Sequence, residues 1–484
     1  MYMRGRTVAL LVVFAILFSS LTTAAAMGDG GLLSRVTGSS LLGSTSSTGD
    51  GLEGNLDKLK EAYGLIKGQY IGEVSDQKLI DGAIRGMVES LGDPYSAYMD
   101  KKTAKQFHTS MESSFQGIGA EVTMKKGKVT IVSPFKGSPA EKAGLRPEDQ
   151  ILKVNGKSLE GMDLNEAVSK IKGPKGSKAK LTVLRPGQND LMKVTVVRDE
   201  IPIKTIHSDM MEGNIGRIEI SQFSKDTSAD FSKALKKLEK DGMQGLVIDV
   251  RGNPGGLLPS VLEIAEQLVP NEKLIMMTED KAGQRMEYRS KLEGKKEYPI
   301  VVLTDKGSAS ASEILAAALK ESGGYKVVGQ NTFGKGTVQT AKDFEDGSNL
   351  KLTMAKWLTP EGNWIHKKGV QPDVKVEMPD YYRATPPQPD QALERDMTSP
   401  QVKNLQLVLE GLGYRPGRTD GYFDKKTETA VKAFQKANKL SVTGKVNEKT
   451  ALKMQDEFVS LLRDAKSDLQ LRAAIETLKK EMKK

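Results

Sequence analysis

Residues 305–314, Asp305-Lys306-Gly307-Ser308-Ala309-Ser310-Ala311-Ser312-Glu313-Ile314, set three serines between an apolar run and a stretch of helical periodicity. Residues 300–304 read as a buried strand and residues 312–320 as a helix, so the serines fall where a strand end turns into a helix start. A hydroxyl there lies near unpaired backbone N–H groups and the positive helix end, both able to receive an oxyanion. The same residues also fit a capping box, with Ser310 bonding into the helix and Glu313 bonding back. This segment alone leaves both readings open.

A serine nucleophile needs a base. The chain has three histidines: His108 in a helical stretch, His207 in a polar connection and His366 in the region of alternating apolar runs. No Gly-x-Ser-x-Gly elbow surrounds a serine there, so a Ser–His triad is not expected. Lysine can replace histidine if burial brings its pKa from about 10.4 towards neutrality, a shift of roughly three units costing about 4 kcal/mol. Thr332-Phe333-Gly334-Lys335-Gly336-Thr337-Val338-Gln339 offers such a place. Flanked by glycines and beside Phe333, Lys335 can approach another backbone closely. Gln339, four residues on, can orient the amine. The alternative is a turn with a solvated lysine.

These residues need a scaffold, and 484 residues is too long for one core. Roughly three folded units are expected. Hydrophobic residues at 38% and charged residues at 28% exclude a chain disordered throughout. The net charge of +10 is interleaved with acids, so it reads as a weak surface preference and not as a nucleic-acid interface. With no cysteine, disulfides, thiolate metal sites and cysteine nucleophiles are excluded. Arg4 and Arg6, the apolar run 8–18 and Ala24-Ala25-Ala26 have the layout of an export signal. An uncleaved anchor of about 20 residues is the alternative, and either one takes the chain out of the cytoplasm.

Gly, Ser and Thr dominate residues 28–54, a linker. Helical spacing recurs at Leu56, Leu59, Ala62, Tyr63 and Ile66, and again from Leu79 to Val88 before the turn at Gly92-Asp93-Pro94, predicting a helical unit over 55–113. Short β-branched runs at 128–132, 150–154 and 179–184, with a helix at 164–171, predict a compact barrel-like module over 114–198. Over 199–378 apolar strands alternate with helices, predicting a layered α/β core with parallel strands. A proline-rich linker at 379–397 precedes two amphipathic helices within 398–456 and a basic helical tail at 457–484. Phe458, Leu461, Leu462, Ala465, Leu469 and Leu478 give that tail a seam for a second chain, or a face for a membrane.

The serine and lysine segments, with Asp249-Val250-Arg251-Gly252-Asn253-Pro254-Gly255-Gly256 and Trp357-Leu358-Thr359-Pro360-Glu361-Gly362, resemble the C-terminal processing peptidases, or tail-specific proteases, a Ser–Lys family. The resemblance implies a multidomain α/β protein whose layered core is crotonase- or ClpP-like. It implies Ser310, not Ser308 or Ser312, as nucleophile, Lys335 as base and Gln339 as its orienting residue, with backbone N–H groups of Gly256 and Ala311 as the oxyanion hole. No metal or other cofactor is implied.

Gln116-Gly117-Ile118-Gly119-Ala120, Ser138-Pro139-Ala140-Glu141-Lys142-Ala143-Gly144-Leu145 and Asp149-Gln150-Ile151-Leu152-Lys153-Val154-Asn155-Gly156 resemble a circularly permuted PDZ domain inserted before the core. PDZ domains bind C-terminal peptides as an added strand, and Gly117, Ile118, Gly119 and Ala120 would form the carboxylate loop. Such a domain can instead only brace the protease. Lys170 and Lys172 could signal occupancy. Val402-x-x-Leu405-Gln406, Asp420-Gly421-Tyr422-Phe423-Asp424 and Phe434-Gln435 are similar to peptidoglycan-binding-type domains. Glycan binding and dimerisation are both open for that unit.

The expected function is therefore a serine endopeptidase acting on extracytoplasmic proteins through their C-terminal tails, with a homodimer through the terminal helical regions and peptidoglycan as further partners. A catalytically silent PDZ scaffold at the cell envelope is the competing reading. A hydratase on a related core is a third, which leaves the PDZ module without a purpose.

Overall fold

The computed structural model describes residues 49–483 apart from 126, 187–189, 271 and 465–466. The expected export segment and most of the 28–54 linker lie outside the described residues. None of the described helices is long and apolar enough to cross a membrane.

Helices α1 (Gly49–Gln69) and α2 (Asp76–Glu89) open the described chain, α2 capped by the Ser75 hydroxyl, which accepts from the Lys78 N–H. After a turn at residues 93–96 come β1 (Ala97–Met99) and α3 (Lys101–Met111). Residues 55–113 are thus not purely helical: β1 pairs antiparallel with residues 349–351, Ala97 opposite Lys351. Three residues carry too little pattern to declare a strand, and the distant partner supplies what the sequence does not.

The next unit holds β2 (Ser114–Gly117), β3 (Ala120–Lys125), β4 (Lys128–Pro134), α4 (Pro139–Lys142), β5 (Gln150–Val154), β6 (Lys157–Ser158), α5 (Leu164–Ile171), β7 (Lys178–Leu184), β8 (Met192–Val197) and β9 (Asp199–Pro202). Its sheet runs β3-β4-β5-β7-β8 around a core that includes Ile131, Ile151, Ala167, Leu181 and Val183. The fully buried Asp149 is held by a two-pronged Arg185 contact, 2.8 Å on each oxygen. Strands β2 and β9 pair with each other, so the unit enters and leaves the rest of the chain at one place.

The α/β region contains β10 (Ile206–Met211), β11 (Ile215–Ile220), α6 (Thr227–Lys240), β12 (Gly245–Asp249), α7 (Leu258–Ala265), β13 (Leu274–Asp280), β14 (Arg285–Arg289), β15 (Ile300–Thr304), α8 (Ala311–Ala317), β16 (Lys326–Gly329), β17 (Thr337–Asp343), β18 (Asn349–Leu358) and β19 (Val374–Lys375). A six-stranded sheet runs β10-β11-β12-β15-β16-β19. Its β11, β12, β15, β16 and β19 are parallel, as the alternation predicts, and β10 is an antiparallel edge. A second, antiparallel sheet joins β1, β18, β13 and β14, with β17 on β18. Helices α6, α7 and α8 fill the space between, packing Phe231, Val261 and Ile314 with Ile248 and Val302 of one sheet and Met276 and Trp357 of the other.

Strands β12 and β15 are buried at every position, which requires a cover on both faces. The outer cover is the end of the chain. After a short helical turn (Asp380–Arg383) come α9 (Pro400–Gly411), α10 (Lys425–Ala437), α11 (Glu448–Arg463) and α12 (Leu469–Glu481). Helix α12 lays Leu471, Ala474 and Leu478 on Ile215, Val247, Val301, Leu303 and Val328. Each fully buried leucine there contributes ~1.5–3 kcal/mol.

This corrects the expected single tail helix with a free seam. Residues 464–468 separate α11 from α12, Phe458 belongs to the core of the 398–456 unit, and Leu478 belongs to the sheet. Ala465 lies outside the described residues. The proline-rich stretch is likewise no free linker: Ala384 is buried in the C-terminal core and the Pro387 carbonyl accepts from Gln455 at 2.9 Å.

Candidate active site

Ser310 sits between β15 and α8, 2% exposed, at φ 54 and ψ −112. That backbone lies outside the preferred basins and costs ~1–3 kcal/mol, so the surroundings must hold it. Two loops do. The Asp305 carboxylate accepts the N–H groups of Gly252, Gly307 and Ser308 at 2.8, 2.9 and 3.0 Å, binding the 305–308 loop to the 252 turn. The Asn253 carbonyl accepts the Ala309 N–H at 3.0 Å and the Ser312 hydroxyl at 2.9 Å. The Ser308 hydroxyl donates to Val250 O at 2.8 Å. Two of the three serines are therefore committed to backbone carbonyls, which separates Ser310 from its neighbours by geometry.

Gly255 and Gly256 lie against this turn at φ 108 and 148. A Cβ on Gly255 would stand 2.9 Å from the Ser310 Cβ and 3.1 Å from the Ala311 nitrogen. One on Gly256 would stand 2.1 Å from the Phe223 carbonyl oxygen, because Phe223 and Gly256 form a β-bridge. Gly255 thus lies against Ser310 and Ala311, and Gly256, the next residue, against Phe223.

Lys335 occupies the loop between β16 and β17, 2% exposed. Both flanking glycines are required by close approach: a Cβ on Gly334 would meet Lys367 and Gly369 at 3.0 Å, and one on Gly336 would meet His366 N and Trp364 Nε1 at 2.8 Å. Trp357 Nε1 donates to the Lys335 carbonyl at 2.7 Å. Burial, the largest influence, holds the Lys335 amine well below the ordinary lysine range. The charge of Lys351 pushes it the same way, while the Glu313 and Asp93 carboxylates oppose.

Glu313 is the tie between the two segments. Fully buried, it accepts from the Ser310 N–H at 2.8 Å, the Thr332 hydroxyl at 2.5 Å, the Gly334 N–H at 2.7 Å and the Lys335 N–H at 2.8 Å. The Glu313 half of the capping box is present, while the Glu313 N–H donates to the Ser310 carbonyl at 2.9 Å, and the same acid fixes the lysine loop to the start of α8. Burial raises the Glu313 pKa, and these donors act against the rise.

Gln339 is 1% exposed on β17, with Nε2 donating to the hydroxyls of Thr337 at 2.9 Å and Thr353 at 3.1 Å. Both bonds use the amide nitrogen, so the amide oxygen is the end able to accept from an amine. The structure departs from the sequence reading at Phe333, which is 38% exposed and does not wall the lysine. The Tyr95 ring takes that place, its centroid 5.2 Å from the Lys335 Nζ. His366 stacks on Trp364 and meets the edge of Tyr95, while His108 pairs with Asp343 and His207 is exposed. Tyr95, Asp93, Lys351 and Thr353 escaped the sequence reading. Only the Gly92-Asp93-Pro94 turn signal marked their neighbourhood.

In the PDZ-like unit, Ile118 is 2% exposed in the core and Gly119 adopts φ 74, where a Cβ would lie 2.5 Å from the Ser138 Cβ. The carbonyls of Ile118 and Gly119 accept from the N–H groups of Ala140 and Phe135 at 2.8 and 2.9 Å. Gly117 ends β2 and Ala120 starts β3. Lys172 lies over the Phe115 ring at 4.8 Å. In the C-terminal unit, the buried Gln406 bonds Gly421 N and Tyr422 O, and the buried Gln435 bonds Thr443 N, Gly444 N and Lys445 O. Those motif residues organise loops, so they report architecture and not a ligand. Among the described residues no cluster of three or more His, Asp or Glu could hold a metal ion.

Residues 214–376 match peptidase family S41, residues 34–103 the N-terminal domain of the activating protease CtpB, residues 130–185 a PDZ domain and residues 398–454 a peptidoglycan binding domain. The carboxy-terminal processing protease CtpB of Bacillus subtilis is 51% identical over 426 residues, covering 87% of this chain and 89% of that protein. The carboxy-terminal processing protease CtpA of the same organism is 47% identical over 449 residues, covering 92% and 95%. Among solved structures, the photosystem II D1 C-terminal processing protease aligns at 31% identity and a TM-score of 0.41, over 66% of this chain and 86% of that one.

Fold, site and relatives together define a serine-type peptidase with a PDZ module. The chain belongs to the carboxy-terminal processing protease family.

Proposed function

We propose that the peptidase works by a Ser310–Lys335 dyad on extracytoplasmic proteins, whose C-terminal tails it recognises through the PDZ module. The observation that carries the reading is the joining of a strained serine and a buried lysine, whose pKa burial lowers, by the single carboxylate of Glu313. Neutral Lys335 takes the Ser310 proton as the hydroxyl attacks the peptide carbonyl, with the amide oxygen of Gln339 orienting the amine. The oxyanion is received by the N–H groups of Gly256 and Ala311. The amine of the C-terminal fragment leaves with the proton from Lys335, and Lys335 then activates the water that hydrolyses the acyl-enzyme.

The PDZ reading rests on the loop Gly117–Ala120. With the carbonyls of Ile118 and Gly119 engaged inside the fold, its N–H groups are the donors a terminal carboxylate requires. Arg4, Arg6 and the apolar run after them support export.

A serine-directed fluorophosphonate, mapped by mass spectrometry, tests both parts. The adduct is expected on Ser310 and absent from Ser310→Ala. A peptide with a free C-terminal carboxylate is expected to speed labelling, and its amide is not. An adduct elsewhere, or labelling that persists in Ser310→Ala, overturns the dyad. Equal effects of acid and amide overturn the PDZ part.

A homodimer is proposed through the N-terminal helices alone, since the tail seam is used internally. Leu56, Leu59, Leu65 and Ile66 of α1 are 44–50% exposed, more apolar surface than a solvated helix carries. Sedimentation is expected to give twice the chain mass, and Leu59→Glu with Ile66→Glu to give the monomer. A wild-type monomer at tens of micromolar would sink this reading.

A further inference from the structure

The lysine compartment contains two charged groups that the dyad does not use. One is Lys351 on β18, 3% exposed. The other is Asp93, half-buried in the turn ahead of β1. Register brings them together. In the β17–β18 pair, Gln339 stands opposite Thr353 and Ala341 opposite Lys351, and on the other edge of β18 Ala97 stands opposite Lys351.

The turn is bonded to the same strand. The Thr353 N–H donates to the Ser96 hydroxyl at 3.0 Å, and the Ser96 hydroxyl donates to Asp93 at 2.6 Å. The Tyr95 N–H donates to the other Asp93 oxygen at 3.0 Å, which holds the Tyr95 ring 5.2 Å from the Lys335 Nζ. Thr353 also links the two sides: its hydroxyl accepts from Gln339 and bonds Asp93. The turn thus roofs the lysine with an aromatic face and sets a carboxylate beside it.

We propose that Asp93 and Lys351 are positioning residues that set the charge state of Lys335, with Lys351 serving as the counter-ion that keeps Asp93 from holding Lys335 protonated. The proposal rests on the dyad reading above.

The groups facing Lys335 are Glu313 from α8, Asp93 and Tyr95 from the turn, and Lys351 from β18, with His366 bordering Tyr95. Two carboxylates near one buried amine favour the ammonium form, which cannot accept a proton. A second cation adds to the effect of burial and opposes the carboxylates, because at low effective dielectric each charge acts over several ångströms. Asp93 acts on Lys335, Lys351 and His366 alike. Burial, the largest influence, pushes Asp93 up, but the bonds from Ser96, Thr353 and Tyr95 act against it and the net shift is downward, so Asp93 is ionised near neutrality. Burial brings Lys351 down to about 8, against the pull of Asp93, so it is cationic near neutrality. A cation of its own lets the site keep an ionised Asp93, which anchors the roof, without losing the base.

The signs are opposite for the two residues. Activity needs neutral Lys335 and falls as pH drops through its pKa. Lys351→Met removes a cation, raises that pKa and is expected to move the acid limb of kcat/KM up by about one pH unit. Asp93→Asn removes an anion and is expected to move it down by a similar amount, while Lys351→Arg, permanently charged, is expected to leave it in place. Full-length protein is used, with thermal unfolding followed for each variant and the rate of Ser310 labelling read over the same pH range. Limbs that stay put in Lys351→Met and Asp93→Asn, or move the same way, overturn the proposal. If Lys351→Met does not fold, Asp93→Asn decides alone. Activity surviving in Ser310→Ala or Lys335→Met sinks the dyad instead, a result distinguishable from unmoved limbs in an intact dyad.

Discussion

Lys335→Met is expected to lower kcat/KM by ~10²–10⁴-fold, the range set by losing a positioned base, while leaving the protein folded. Methionine fills most of the space of the lysine stem and has no charge to desolvate. The stability sign follows from linkage. Burial depresses the folded pKa of Lys335 below its unfolded value, so the unfolded chain binds a proton that the folded chain excludes. Between the two pKa values, lowering the pH therefore destabilises the native state. The methionine variant lacks this proton linkage, and its melting temperature at pH 7 is expected to equal or exceed that of the parent. Lys335→Arg is expected to be equally inactive, since a guanidinium does not become neutral. Hydrolysis of an unfolded protein and thermal melts measure both halves. Activity within tenfold of the parent in either variant would remove Lys335 as the base.

Gly256→Ala is expected to cost ~10²–10³-fold in kcat, as loss of one oxyanion donor does. The new Cβ would stand 2.1 Å from the Phe223 carbonyl oxygen, so the 255–256 backbone must move off Phe223 and the Gly256 N–H is displaced with it. Gly252→Ala supplies the control within the same loop. Gly252 also has a positive φ, 65, but nothing lies within 4 Å of its Cβ, so only a strain of ~1 kcal/mol is expected. If the two alanines reduce kcat equally, the loop matters through its flexibility and Gly256 is not an oxyanion donor.

The parallel half of the core was legible because β12 and β15 carry unbroken apolar runs, residues 246–248 and 300–303, that alternate with helices. Ser310 and Lys335 were legible as a motif, and locally Ser310 was as good a cap as a nucleophile. The structure shows the cap and the lysine loop sharing one acid, Glu313, a relation that no spacing encodes. The antiparallel sheet was not legible. Its β17 and β18 carry Lys342, Lys351 and Lys356, and an inward lysine reads as an outward one until its neighbours are known. The ring over the amine was not legible either: Phe333 adjoins Lys335 in sequence, but the aromatic face comes from Tyr95, more than half the chain away from β18. The tail misled because amphipathicity says that a helix covers something without saying what.

Helix α12 also bears on the order in which the molecule can be completed. Arg251, next to the Gly252–Gly256 loop, is held by Asp249 at 2.7 Å and by Asp468, just ahead of α12, at 2.7 Å. The cover on the outer face of the parallel sheet and an anchor of the glycine loop are both supplied by α12 and the residue just ahead of it. A growing chain that has made β11 to β16 leaves Val247, Val301 and Val328 uncovered until α12 is added. Completion of the sheet therefore waits for α12, and a chain cut short ahead of that helix carries a sheet with one uncovered side.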